Sequence, residues 1–257
     1  SGLPIKGLIR NTIFKQFVGG ETLEETKPVV DMLGQYNVQV ILDYGAEGGD
    51  NGDAGFDHTM EQFIKVIDYA GTQPNIPFMS VKVTGIARFA LLEKMDELMH
   101  LSTNTLVKRY EYALAQLSVD ENAEWNRVVG RMERICEEAA TQQMGVLIDA
   151  EDSWIQDPVD ALVCIMMDKY NRGRCLIYNT VQLYRHDRLA FLRSMMQAAV
   201  ERNFILGAKL VRGAYMEKER KRADEKGYPS PIHTDKKSCD YDYDESVQLC
   251  IDHLNQC

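Results

Sequence analysis

The stretch Phe204 to Arg220, "FILGAKLVRGAYMEKER", decides how the chain is read. It opens as a short apolar run and carries Lys209 and Arg212 at and just beyond its end. It then drops to the small Gly213 and Ala214 and passes through Tyr215 into a dense run of charge. A short, continuous apolar run reads as a strand buried on both faces, the kind found in parallel sheets. The charged run behind it reads as the solvated start of a helix.

The same unit recurs upstream. "NVQVILDYG" (37–45), "IPFMSVKVTG" (76–85), "MGVLIDAEDSW" (144–154) and "RCLIYNT" (174–180) are strands of the same type, with polar endings at Asp43, Lys82, Asp149 and Asn179. Helices are expected between them. The first runs over Ile9 to Leu33, broken at "FVGGET" with Thr22 as a cap, and the next over Phe56 to Ala70 after a glycine- and acid-rich loop, 45–55. A long region follows from Phe89 to about Thr141, broken near "LSVDENAEW", and then helices over Pro158 to Tyr170, Arg188 to Glu201, Met216 to Lys226 and Tyr243 to Leu254.

Strand–helix alternation without hairpin signals implies a parallel sheet covered by helices. No GxGxxG follows the first strand, so a barrel is a better reading than a dinucleotide-binding sheet. Five strands are found where a closed barrel needs eight. The expected organisation is an N-terminal helical segment over 1–36 and a partial (βα) barrel over 37–257, with a helical insertion at about 86–141.

The 257 residues have a net charge of −10, from 39 acids against 29 bases, which argues against a broad nucleic-acid surface. No apolar run approaches the roughly 20 residues a membrane helix needs, and the N-terminus does not read as a signal peptide. The spacing of the six cysteines matches neither a zinc motif nor a redox CxxC, so they read as reduced thiols.

In barrels the site lies at the carboxyl ends of the strands, so all five endings should converge on one face. Singly, a strand-end lysine snorkels to water more often than it binds a ligand. Lys82, Lys209 and Arg212 at corresponding ends make a joint positive pocket a balanced alternative, with Asp149, Asp43 and Glu47 as anionic company. Asp149 and Glu151 share a face if the strand runs that far, whereas Asp152 reads as a solvated helix-start acid. Asn179 either bonds a planar heterocycle or satisfies loop backbone. Tyr215 either walls a pocket or packs as the first core residue of its helix.

Together, "GAKLVRGAYMEKER", "LIDAEDSW", "LIYNTVQLY", "FMSVKV" and "FVGGET…VILDYGAEG" resemble the proline dehydrogenase family, in the right order over nearly the whole chain. The likeness is greater to the mitochondrial-type and single-function bacterial members, with Lys209 where bifunctional ones commonly carry arginine. It implies a distorted (βα)8 barrel holding FAD, oxidation of L-proline to pyrroline-5-carboxylate, and a quinone-type electron acceptor. It further implies a mitochondrial inner-membrane or matrix location in a eukaryote, and a cytoplasmic or peripheral inner-membrane one in a bacterium.

Carried over by position, Lys209 would face the flavin N5 region, and Arg212, Gly213 and Ala214 would lie along the cofactor. Asp149 and Ala150 would contact FAD and shape the substrate site. Asn179 would bond the isoalloxazine, Lys82 would sit beside the substrate carboxylate, Tyr215 would wall the proline site, and Glu47 would form an ion-pair gate. The family's three further strands and arginine-bearing final helix have no counterpart in this sequence. That sets an expectation of a complementary C-terminal chain or homo-oligomer, or of a half-barrel fragment inactive alone. The rival enzymatic reading is a Schiff-base lyase or aldolase using Lys82 or Lys209.

Overall fold

The computed structural model describes residues 18–20, 22–45, 52–255 and 257. Glu47 and the expected helix up to Phe17 lie outside the described residues. Among the described residues there are five strands: β1 (Ile41–Asp43), β2 (Phe78–Lys82), β3 (Gly145–Asp149), β4 (Ile177–Gln182) and β5 (Ala208–Val211). They form one all-parallel sheet in chain order, with β1 and β5 as its edges among the described residues. The helices are α1 (Leu23–Gln35), α2 (Gly52–Gly71), α3 (Phe89–His100), α4 (Leu106–Gln116), α5 (Val119–Gln142), α6 (Gln156–Tyr170), α7 (Arg188–Arg202), α8 (Met216–Lys226) and α9 (Lys236–Asp252).

Alternation sorts each strand into two faces. Met79, Val81, Val146, Ile148, Ile177 and Val181 belong to the large core that the helices share. Phe78, Leu147 and Tyr178 point the other way and lie outside that core. Phe78 and Tyr178 meet edge to face at 5.5 Å although β3 runs between them. Gly145 makes this contact possible, since a Cβ there would stand 2.3 Å from the Phe78 ring.

Several boundaries differ from expectation. The long helical region is three helices, not two. The break near Leu117 follows from a capping box, in which Ser118 Oγ accepts from the Glu121 N–H and the Glu121 carboxylate accepts from the Ser118 N–H. A second break, between His100 and Leu106, had no such sequence signature. α2 begins at Gly52, inside the expected loop, and α9 begins at Lys236 because Asp235 caps it.

Asn171 ties the end of α6 to two strands and is fully buried. Its Oδ1 accepts from the Leu176 and Ile177 N–H groups at 3.0 and 2.9 Å. Its Nδ2 donates to the Ile177 and Ile205 carbonyls at 2.8 and 2.9 Å. Alanine there strands three buried backbone groups and a half-buried one, the Ile205 carbonyl, and each buried group is worth about 1–3 kcal/mol when unsatisfied. Asn171→Ala should therefore lower stability by about 3 kcal/mol or more, read as a drop in the urea midpoint at unchanged slope. A drop near zero would mean that water replaces the side chain.

Candidate active site

The inner face of the sheet carries one polar row. Lys82 pairs in register with Asp149, and Thr180 with Lys209. Lys209 reaches over β4 to Asp149, with Nζ 2.7 Å from Oδ1. The gap it crosses is kept open by the short Thr180, whose hydroxyl donates to the Ile148 carbonyl at 2.7 Å. On the other side, Lys82 Nζ stands 3.6 Å from Asp149 Oδ2 and 3.8 Å from Asp43 Oδ2. One largely buried carboxylate thus sits between two ammonium groups, and Lys209 is the more open of them, with 33% of its side chain exposed. Charges this far from water need such pairing. Two ammonium groups thus stand with two carboxylates, of which Asp43 is half-exposed, and Lys209 is the cation that an anion arriving at the open end would meet.

Beyond the row, Ala150 is buried and Glu151 anchors three strand ends. The Glu151 carboxylate accepts from the Thr84 N–H and hydroxyl at 3.2 and 2.6 Å. Its own N–H donates to Gln156 and its carbonyl accepts from Gln182 Nε2. Burial raises the Glu151 carboxyl above its usual range, opposed by the two Thr84 donors and by the charge of Lys82. Asp152 is buried rather than solvated, because Lys218 of α8 pairs with it at 2.7 Å. Glu219 strengthens the same latch by accepting from the Ser153 N–H and hydroxyl.

Two expected site residues are placed elsewhere. Asn179 shares a face with Ile177 and Val181, so it points into the helix layer and donates to Asp160 of α6 at 2.9 Å. The structure does not bring it to the row with Lys209. The amide that does lie on the inner face is Gln182, which the sequence reading missed. It is 2% exposed, donates to the Glu151 carbonyl and Tyr184 hydroxyl, and its Oε1 is a buried acceptor without a hydrogen-bond partner. Reading the strand two residues further, to Gln182, would have put Tyr178, Thr180 and Gln182 on one face by alternation alone.

Arg212 lies past the end of β5 and turns toward α9. Its Nη1 pairs with Asp240 at 2.5 Å, and its guanidinium lies over the Tyr243 ring at 4.5 Å. It lines a separate cavity of about 470 Å³ with Tyr184, Gly213, Met216, His233 and Lys236. Gly213 has φ of +82°, a region only glycine enters freely, and a Cβ there would stand 4.0 Å from Met216 Sδ. Ala214 is exposed, and Tyr215 stands at the start of α8, packed against Tyr184, Ile232 and Cys239. Glu47, the expected gate, is not among the described residues.

The family model described as "Proline dehydrogenase" matches residues 27–257. Carbapenem antibiotics biosynthesis protein CarD of Pectobacterium carotovorum is 32% identical over 218 residues, 84% of this chain and 53% of that protein. Hydroxyproline dehydrogenase of Xenopus laevis is 28% identical over 262 residues, 96% of this chain and 56% of that protein. Proline dehydrogenase 1, mitochondrial, of Dictyostelium discoideum is 30% identical over 253 residues, 89% and 44% respectively. The chain therefore spans about half the length of these curated relatives. Among solved structures, proline utilization A from Bdellovibrio bacteriovorus inactivated by N-propargylglycine matches with a TM-score of 0.78 at 15% identity, over 98% of this chain and 25% of that one. That likeness is one of fold, and the sheet order found here agrees with it, although five strands do not close a barrel.

Proposed function

The chain belongs to the proline dehydrogenase family, and from that premise we propose that its inner sheet face forms one side of an FAD site at which L-proline is oxidised to pyrroline-5-carboxylate. The observation that carries this reading is the Lys82–Asp149–Lys209 row beside a buried, unpartnered Gln182 Oε1. A planar heterocycle with an N–H donor would satisfy that oxygen, and leaving a buried acceptor idle costs about 1–3 kcal/mol. The residues therefore fit a flavin ring. The cavity beside Gly213, with Arg212, Lys236 and the N-terminus of α9, fits the phosphate-bearing part of the same cofactor. Bound there, FAD would supply the two-electron acceptor for the amine carbon.

The protein's own groups have separable roles. Lys209 stabilises negative charge that develops next to it during transfer, and Asp149 holds Lys209 in place. Lys82 attracts the substrate carboxylate as a point charge rather than a fork. Ala150 leaves room beside Asp149, and Tyr215 walls the substrate side. Arg212 holds the cofactor from the α9 side rather than from the row. Glu47 forms the gate, and a quinone-type carrier takes the electrons onward, at a membrane surface approached peripherally. Among the described residues no helix is long and apolar enough to cross a bilayer, and several relatives carry mitochondrial names.

A Schiff-base lyase is disfavoured, since it needs a lysine amine free to attack a carbonyl, whereas Lys209 is engaged by Asp149 at 2.7 Å and Lys82 by Asp149 and Asp43 at 3.6 and 3.8 Å. The test is optical. A flavin spectrum that anaerobic L-proline bleaches supports the proposal, and faster bleaching by hydroxyproline would move the substrate toward that of the Xenopus relative. Bound flavin that stays oxidised with both amino acids would sink it.

A further inference from the structure

Behind the sheet, on the helix side, a cavity of about 250 Å³ lies between the α3–α4 turn, the start of α6 and the β4–α7 turn. Its lining holds four basic side chains, His100, Arg109, Arg185 and Arg188, and two carboxylates, Asp157 and Asp187, while Asp96 and Asp160 behind the lining pair with His100 and Arg188. Hydrogen bonding to Asp96 raises His100 to about 9, so it is charged at neutral pH. The turn adds neutral donors in Ser102, Thr103 and Asn104. Nothing in the proposed oxidation uses this cavity.

Arg185 is the telling residue. Its side chain is only 8% exposed, and its Nε and Nη2 donate to Asp187 at 3.1 and 2.9 Å. Its Nη1 is buried and has no hydrogen-bond partner. A buried guanidinium N–H without an acceptor is costly and rare in native proteins, and a bound anion would supply the acceptor that the fold withholds. Arginine also presents its donors as a planar fork suited to carboxylate and phosphate oxygens.

We propose that this cavity binds a small oxyanion, the phosphate or carboxylate group of a soluble metabolite, held chiefly by Arg185 with His100, Arg109 and Asn104 around it. A larger groove of about 690 Å³ shares Asn104, Arg109, Asp157, Asp187 and Arg188 with it and runs along α7, leaving room for an organic body behind the charged group. The site is reached from the helix layer, so its occupancy is independent of the row on the inner face. Asp160 accepts from both Arg188 and Asn179, so this bonding also stays within the helix layer.

The test is calorimetric titration of the purified chain with inorganic phosphate, and separately with succinate, against matched chloride. Saturable one-site binding is expected for the anion whose group matches. Phosphate alone binding identifies a phosphate ligand, and succinate alone a carboxylate. Arg185→Met should weaken binding about tenfold or more, the worth of a charge-assisted hydrogen bond. Should that variant fail to fold, Asn104→Ala and His100→Gln, both at exposed side chains, are expected to weaken it as well. Lys221→Met, at an exposed side chain of α8, should leave it unchanged. Absence of saturable heat with both anions, equal affinity in the Arg185, Asn104 and His100 variants, or loss of binding in Lys221→Met instead would overturn the assignment.

Discussion

Replacing Lys209 by methionine is expected to slow the reduction of bound flavin by proline about a hundredfold or more, while flavin stays bound. Methionine keeps the length and apolar stem of the side chain and removes only the charge. In the row, Lys209 and Lys82 share Asp149 at 2.7 and 3.6 Å. Without Lys209 the local balance turns negative, because Asp149 and Asp43 then face a single ammonium. Negative charge arriving beside the row would meet an anion instead of a cation. Preorganised donors at such positions are typically worth 10²–10³ in rate, about 3–4 kcal/mol. Lys82→Met should act differently, raising the proline concentration needed for half-maximal reduction more than it lowers the limiting rate, since in the proposed site it would meet the substrate carboxylate in both ground and transition states. Anaerobic stopped-flow reduction separates the two. A Lys209 variant that reduces at the wild-type limiting rate would remove Lys209 from the chemistry and leave it as a strand-end ion pair.

The parallel sheet and its strand ends were legible because each strand is a short apolar run with a polar ending, the pattern of strands in a helix-covered parallel sheet, although the edge strands β1 and β5 are less buried than the central three. The same property hid which face each residue takes. In a half-solvated strand, polar residues mark the outer face. In "IYNTVQ" both faces are buried, so Asn179 and Gln182 looked interchangeable. Their different fates depend on where the strand stops and on what each face meets, Asp160 of α6 in one case and the open interior in the other. Partners distant in sequence were equally invisible. Asp152 looked solvated because its cation, Lys218, lies 66 residues away. Arg212 looked like part of the strand-end cluster because Asp240 and Tyr243, which draw it aside, belong to a helix whose start was placed too late. The Met216–Lys226 helix, a local signal, has the bounds the sequence suggests, and Gly227 ends it in the left-handed region at φ +74°.

Breaking the buried Arg188–Asp160 pair should cause the largest loss of stability. Asp160 is 1% exposed and Arg188 5%. Asp160 Oδ2 accepts from Arg188 Nη1 at 2.7 Å, while Oδ1 accepts from Gln156 and Asn179, each at 2.9 Å. Arg188 also donates to Asp187 at 3.1 and 2.6 Å and lies over the Phe191 ring. Arg188→Met leaves Asp160 as a buried carboxylate without its cation, a situation that typically costs about 3–5 kcal/mol. The pH dependence has a definite sign. Burial already raises the Asp160 carboxyl from 3.8, and Arg188 is the chief force opposing that rise. Without Arg188 the folded value rises further, so the variant binds a proton that its unfolded chain has lost. Its deficit is smallest in acid, near the unfolded value, and grows as pH climbs toward the raised folded value. Urea unfolding of wild type and variant at acid and neutral pH measures that difference. In Arg188→Met/Asp160→Asn no buried charge remains at the pair, so the double variant should recover part of the loss at neutral pH. If the two single losses simply add instead, Asp160 does not depend on Arg188 for its charge, and the alternating chain that joins α6, β4 and α7 is held by Gln156 and Asn179 alone.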